Sequence, residues 1–431
     1  MTAASRIATA GTSGSKADDL SVAGLLFDGI AAQTADIEGV SRPAFSAIET
    51  MTLDMLEEFA RSQGIEVWYD AGQNANFSLP EHKDATSFAL VGSHVDSVPF
   101  GGNFDGLAGV IAGLVCLVRA RRDGAGSVRP FHVLAMRGEE SAWFGPCYIG
   151  SKALTGSLPT GEIEATHKGD GRSLGQHMAD IGIPMDDVRA GLPLIDLKPV
   201  SAYLELHIEQ GPLLVGKNIP AAVVSGIRGN FRHRSIRCVG EAGHSGAVPR
   251  AFRRDPVLAL ADLLVRLDES WSTILNKGDD LVLTSGVVGT DPSKHAMSRI
   301  PDEIAFSLDI RSQSARTLDE MRALLAAEMK QVSRDRKVSF VLDEEIRTAP
   351  ALCDPVLVDQ LLAAMERTGQ DKFLMPSGGG HDAAVFSAAG VPSAMVFVRN
   401  RNGSHNPDEA MDLTDFMAGT DILYEFLKAA H

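Results

Sequence analysis

The sequence has only four cysteines in 431 residues, Cys116, Cys147, Cys238 and Cys353, and they lie far apart with no Cys-x-x-Cys pair. That spacing argues against a disulfide framework and a thiolate zinc site, and it fits a reducing cytoplasmic setting. No apolar run is long enough to span a bilayer, so no membrane partner is expected. Basic residues are outnumbered: 40 Lys and Arg stand against 56 Asp and Glu, for a formal net charge of −16. A surface with that surplus of carboxylates repels nucleic acid and anionic membranes alike. The first twenty residues, mostly Ala, Ser, Thr and Gly, lack the continuous apolar core of a signal peptide and are expected to form a disordered tail. No internal repeat or low-complexity segment follows. What remains is a chain of ordinary globular composition, 44% hydrophobic, long enough for two or three domains with sizeable cores.

One stretch concentrates chemistry. Gly92-Ser-His-Val-Asp-Ser-Val-Pro-Phe-Gly-Gly-Asn-Phe-Asp-Gly106 places His94, Asp96 and Asp105 in a turn-rich segment after the apolar run Phe88-Ala-Leu-Val91, which reads as a buried strand. Imidazole nitrogen and carboxylate oxygen suit a borderline divalent ion, and a carboxylate can bridge two. Taken alone, His94 and the aspartates are better explained as turn caps beside glycines. The rest of the chain decides between these readings. A helix is expected from residue 47 to 63, then a strand at Ile65 to Tyr69, and a strongly apolar helix after Asp105. Phe131 to Met136 is a second apolar run, ending in Arg137-Gly-Glu-Glu140, and Ala202-Tyr-Leu-Glu-Leu-His-Ile-Glu-Gln-Gly211 is a third, ending near His207, Glu209 and Gln210. Ligands after strands are the pattern of α/β sheets, whose sites lie beyond the carboxyl ends of strands.

After Pro212 the order becomes βαββαβ up to Leu342, which suggests an inserted ferredoxin-like α+β domain. The expected organisation is therefore a tail at 1–20, a mixed-sheet α/β metal-binding catalytic domain at 21–212 and 347–431, and an inserted lid and dimerisation domain at 213–346. Two further histidine turns follow the insertion, Ser377-Gly-Gly-Gly-His-Asp-Ala383 and Gly403-Ser-His-Asn-Pro-Asp-Glu409. Gathering the strand-end groups gives His94, Asp105, Glu139, Glu140, His207, His381 and His405, enough for two metals if Asp105 bridges them. The adjacent pair Glu139-Glu140 fits a division of labour, because consecutive side chains on an extended or turning backbone diverge. One can hold metal while the other takes a proton from the attacking water and passes it to a leaving nitrogen.

These motifs resemble the dinuclear-metal amidohydrolases of the hydantoinase/carbamoylase type, which include N-carbamoyl-L-amino-acid hydrolases, β-ureidopropionases and allantoate amidohydrolases, within the aminoacylase clan. The resemblance runs from about Ser41 onward and is strongest in Gly92-Ser-His-Val-Asp-Ser97, Gly101-Gly-Asn-Phe-Asp-Gly106, His207-Ile-Glu-Gln-Gly-Pro212, Gly378-Gly-Gly-His-Asp-Ala383 and Ser404-His-Asn-Pro-Asp-Glu409. It implies His94 and His207 on one metal, Glu140 and His405 on the other, and Asp105 between them. It further implies Asp96 orienting His94, Glu139 as general base and acid, and His244 as an oxyanion donor supplied across a homodimer. Substrate binding is implied for Arg311, which would pair with a carboxylate, and for Gln210, Gly380 and His381. The ions expected are two divalent cations, zinc first, with manganese, cobalt or nickel as alternatives.

The pattern breaks in places. The family usually places Asn before an Ile-Pro pair where Ser298 stands here, in His295-Ala-Met-Ser-Arg-Ile-Pro301. Arg137, Trp143 and Arg228 are also unusual, and together with Ser298 they raise the expectation of a substrate larger or more anionic than a simple N-carbamoyl amino acid. The expected reaction is metal-dependent hydrolysis of a carbamoyl or ureido C–N bond in a small-molecule substrate bearing a carboxylate. The alternative is an N-acyl amino acid amidohydrolase.

Overall fold

The computed structural model describes residues 16–428. Residues 1–15 of the expected tail lie outside the described residues, whereas residues 16–20 open the helix Lys16–Thr34. The correction has a physical cause that local composition hides. Val22, Leu26 and Ile30 form a buried stripe, and buried Asp19 accepts from Arg119 Nε at 2.7 Å and Arg122 Nη1 at 3.0 Å. The tail's last residues are thus tied to the helix Leu107–Asp123.

The chain divides into two compact units, Met1–Gly226 with Leu352–His431, and Ile227–Ala351. The divisions fall later than the expected 212/213 and 346/347, because the helix Leu213–Lys217 and nearly all of the strand Ala221–Ile227 stay with the first unit and the strand Ile346–Thr348 pairs within the second.

The first unit is built on a nine-stranded mixed sheet. At its centre Phe131–Met136, Phe88–His94, Val200–Ile208 and Ser393–Val398 lie side by side and parallel, with His94 in register with Met136 and Phe397 with His207. Four carboxyl ends therefore open onto one edge of the sheet. Nearly every residue of these strands is buried, as expected for parallel strands covered on both faces. The helices Leu107–Asp123 and Leu413–Lys428 pack against these strands and each other, and Asp382–Ala388 packs on Val200–Ile208 and Ser393–Val398. Ala47–Ser62 is capped by Ser46, whose hydroxyl accepts from Glu49 N–H.

In the second unit the strand Gly229–Val239 pairs antiparallel with Glu303–Ser312, Ser339–Val341 and Ile346–Thr348, while Glu303–Ser312 pairs also with Val282–Thr284 and Val288–Gly289. The helices Pro256–Asn276 and Ala315–Arg336 start at the caps Asp255 and Ser314 and bury Leu260, Leu263, Leu325 and Met329 against Phe231, Ile236, Phe306 and Ile310. This is the expected ferredoxin-like arrangement. Glu303–Ser312 alternates buried and half-buried residues, the signature of an antiparallel sheet with one covered face. Among the described residues no helix is long and apolar enough to cross a membrane.

Candidate metal centre

The strand ends deliver their side chains to one place around Asp105. Its Oδ1 lies 3.0 Å from His207 Nε2 and 3.6 Å from His94 Nε2, and its Oδ2 lies 3.3 Å from His405 Nε2. His405 Nε2 is in turn 3.2 Å from Glu140 Oε1. Two potential ligand groups, His94–Asp105–His207 and Asp105–Glu140–His405, thus share Asp105. Glu139 stands at their side, its Oε2 3.9 Å from His94 Nε2.

The local backbone explains how these groups are aimed. Asp96 is buried, and its two carboxylate oxygens accept the backbone N–H groups of Glu139 and Glu140, each at 3.0 Å. It thereby fixes the acid pair as well as flanking His94, whose Nδ1 is 3.4 Å from Asp96 Oδ1. Behind the same turn, buried Glu49 accepts from Phe45 N–H, Gly138 N–H and Arg137 Nη1. Gly106, at φ +67°, begins the helix directly over His94, where an added Cβ would sit 2.3 Å from the imidazole. Gln210 and His405 adopt left-handed φ values of 62° and 61°, a region non-glycine residues seldom occupy and one that is enriched at functional sites.

The donor set fits a divalent cation. The Nδ1 atoms of His94 and His207 lie 3.1 Å and 2.9 Å from the carbonyls of Asp96 and Ile208. Donation there would leave each Nε2 available to a cation held beside Asp105, the tautomer that metal-binding histidines adopt. Among the described residues no donor is well directed at buried Asp105 Oδ1, although the opposite oxygen accepts from Gln210 Nε2 and the Ser404 hydroxyl. An orphaned carboxylate oxygen between two imidazole nitrogens is costly unless a cation satisfies it. Burial pushes Asp105 up, but His207 and His405 beside it hold it well below the usual carboxylate range. His405, bonded to Asp105 and Glu140, is raised to about 10. Burial lifts the Glu139 carboxyl well above its ordinary value, with Glu140, Asp382 and Asp96 adding to the effect and His94 opposing it.

The remaining expected residues fall in different places. His381 is buried, its ring 4.5 Å from that of His207 and its Nε2 2.9 Å from Ser377 Oγ. Burial, and then His207, lowers its pKa well below the ordinary value, so it is neutral. Gly380 lies beneath the Tyr148 hydroxyl, 1.6 Å from where its Cβ would stand. Gly380→Ala is therefore expected to cost about 1–3 kcal/mol in unfolding experiments, with the cost largely absent in a Tyr148→Ala background. His244, Ser298 and Arg311 belong to the second unit. There, His244 and Arg299 are register partners, Ser245 N–H donates to the Ser298 carbonyl at 2.8 Å, and Arg311 Nη2 donates to Asp309 at 2.8 Å.

Three of the unusual residues have structural partners. Arg137 is buried in its pair with Glu49, Arg228 makes a forked pair with Asp280, and Trp143 Nε1 donates to the Ser97 carbonyl at 2.7 Å. Glu49→Ala leaves the buried Arg137 guanidinium without its carboxylate partner and two amides without their acceptor, and is expected to destabilise the chain by about 3–5 kcal/mol, read as a lower urea midpoint. Sequence reasoning missed Glu49, and also Glu409, which accepts from the N–H groups of Phe104 and Asp105 and from the Ser404 hydroxyl. It also missed Arg42, wholly buried, whose Nε donates to the Val95 carbonyl.

A cluster of imidazoles and carboxylates at the carboxyl ends of parallel strands, with a spare buried acid beside it, defines a metal-dependent hydrolase. Residues 90–429 match the model of peptidase family M20/M25/M40. The chain is 33% identical over 393 residues to an N-carbamoyl-L-amino acid amidohydrolase of Geobacillus stearothermophilus, covering 90% of this chain and 92% of that protein. It is 29% identical to an allantoate amidohydrolase of Escherichia coli, covering 89% and 91% of the two chains. Among solved structures, a hydantoinase/carbamoylase family amidase from Burkholderia multivorans superposes with a TM-score of 0.84 at 27% identity, covering 95% of this chain and 97% of that one. The chain belongs to peptidase family M20/M25/M40, and within it to the amidohydrolases of the hydantoinase/carbamoylase type; it is a hydrolase that binds divalent metal.

Proposed function

We propose that the protein hydrolyses the carbamoyl C–N bond of an N-carbamoyl-L-amino acid or a related ureido acid, releasing the amino acid, carbon dioxide and ammonia. The observation that carries this reading is Asp105, one carboxylate shared by His94 and His207 on one side and by His405, with Glu140, on the other. In this reading His94, His207 and Asp105 hold one divalent ion and Asp105, Glu140 and His405 a second, with zinc the first choice for such ligands. When bound, the ions supply positive charge that polarises the substrate carbonyl and acidifies the attacking water. Glu139 takes the proton from that water and returns it to the leaving nitrogen, and its raised pKa suits the second task. Asp96 keeps Glu139 and Glu140 at a fixed spacing through their amides.

Gln210, Gly380 and His381 are proposed to contact the substrate, and Gln210 is held for this by its bond to Asp105. The roles of His244 as oxyanion donor, of Arg311 as carboxylate partner and of Ser298 in place of the usual Asn rest on matching position in the family, as does the homodimer. A reducing cytoplasmic setting is supported by the four free thiols. The test is consumption of each member of a panel of N-carbamoyl, ureido and N-acyl amino acids, followed by chromatography with and without chelation, with ammonia assayed as the second product of the carbamoyl and ureido members. N-carbamoyl or ureido acids are expected to be turned over best and only with metal. Preference for N-acyl substrates, or activity untouched by chelation, overturns the reading.

A further inference from the structure

Outside the central site, His167, Asp170 and His177 converge on the segment that runs from residue 166 to 180. We propose that they form a separate site for one divalent transition-metal ion, held by His167 Nδ1, an Asp170 carboxylate oxygen and His177 Nε2.

The spacing suits an ion. His167 Nδ1 and His177 Nε2 each lie 3.2 Å from an Asp170 carboxylate oxygen. Ligands of a tetrahedral zinc site with bonds near 2.0–2.1 Å stand about 3.3 Å apart. The Asp170 carboxylate therefore needs little movement to share an ion with both rings. Its other contact is the Arg172 N–H, which donates to Oδ1 at 3.0 Å.

The site is built by the backbone rather than by chance exposure. Thr166 and Ser173 form an antiparallel bridge, and His167 N–H donates to the Arg172 carbonyl at 2.8 Å, so a closed turn presents His167 and Asp170 together. Ser173 and Gln176 then make a reciprocal capping box that starts the helix Leu174–Asp180, which carries His177. The amides of Gly169 and Asp170 point at His167 Nδ1 from 3.3 Å and 3.2 Å, so that nitrogen carries a lone pair rather than a proton. A bound ion takes up that lone pair in place of two long contacts.

The aromatic surroundings give the site both a wall and a reporter. Trp143 stacks on His167 with ring centroids 5.9 Å apart and planes within 11°, and Phe144 packs against His167 and His177 at 5.0 Å and 5.2 Å. The two imidazole side chains are 15% and 14% exposed whereas Asp170 is 45% exposed, which leaves the carboxylate side open to solvent and to an entering ion. Trp143 also bonds the Ser97 carbonyl, next to Asp96, so an ion here braces the segment that follows the Glu139–Glu140 pair.

The test uses the untagged full chain, stripped of metal, titrated with Ni²⁺ and desalted. The wild type is expected to retain one more Ni²⁺ per chain than His177→Gln or Asp170→Asn, and to show tryptophan quenching that disappears in those variants and in Trp143→Phe. Asp170→Asn, at an exposed position, keeps the comparison available if His177→Gln does not fold. The same difference is expected in an Asp105→Ala background, so the outcome does not depend on the central site. Equal nickel content in the wild type and the folded variants overturns the proposal.

Discussion

Glu139→Gln is expected to lower turnover by about 10²–10⁴-fold while leaving the metal content unchanged. Glutamine keeps the size of the side chain and its backbone bond to Asp96, but it cannot accept a proton from water. The residue is buried beside His94, at 3.9 Å, without joining either ligand group around Asp105. Burial holds its carboxyl well above the ordinary range, which suits a group that must give the proton back to a leaving nitrogen. Ammonia release under saturating substrate, paired with metal analysis of the same preparation, checks the expectation. A variant within about tenfold of the wild type, well short of the loss typical for a general base, sinks the assignment.

Asp105→Ala is expected to empty the central site of both ions and to abolish turnover, whereas His405→Ala is expected to keep an ion on His94 and His207. The asymmetry follows from position: Asp105 is the only residue common to both ligand groups. His405 is partly exposed, and among the described residues its Nε2 lies beside Asp105 and Glu140. Thermal unfolding supplies a second readout, because a ligand that binds only the folded chain stabilises it by about 4 kcal/mol at a thousandfold excess over Kd. Added zinc should raise the Tm of the wild type and much less that of Asp105→Ala. Two tightly held central ions in the Asp105 variant would falsify the shared-carboxylate arrangement.

Much of the candidate site was legible because its proposed ligands sit where strands end. His94, Glu139, Glu140, His207 and His405 each follow or close an apolar run, and the structure brings their side chains into one cluster around Asp105. The ferredoxin-like order was legible for the same reason, since amphipathic helices and alternating strands carry their periods in local sequence. What could not be read were partners distant along the chain. Arg137 looked like a spare cation until Glu49 was seen beneath it, and Asp280 plays the same part for Arg228. Nothing in the local sequence marks Arg42 as a core residue. The residues from 16 to 20 looked like a tail because the helix they begin depends on Arg119 and Arg122, about a hundred positions further on.

The position of Ser393–Val398 between Val200–Ile208 and Ala221–Ile227 has a consequence for biosynthesis. Those two earlier strands leave the ribosome with a gap between them, and the strand that fills it emerges only after the whole inserted unit has been made. At about 5–20 residues per second, the stretch between His207 and His405 takes roughly 10–40 s to translate. During that interval the nascent sheet presents unpaired edges, and the candidate metal pocket lacks His405. A growing chain with such unpaired strand edges is open to edge-to-edge aggregation until the last strand arrives.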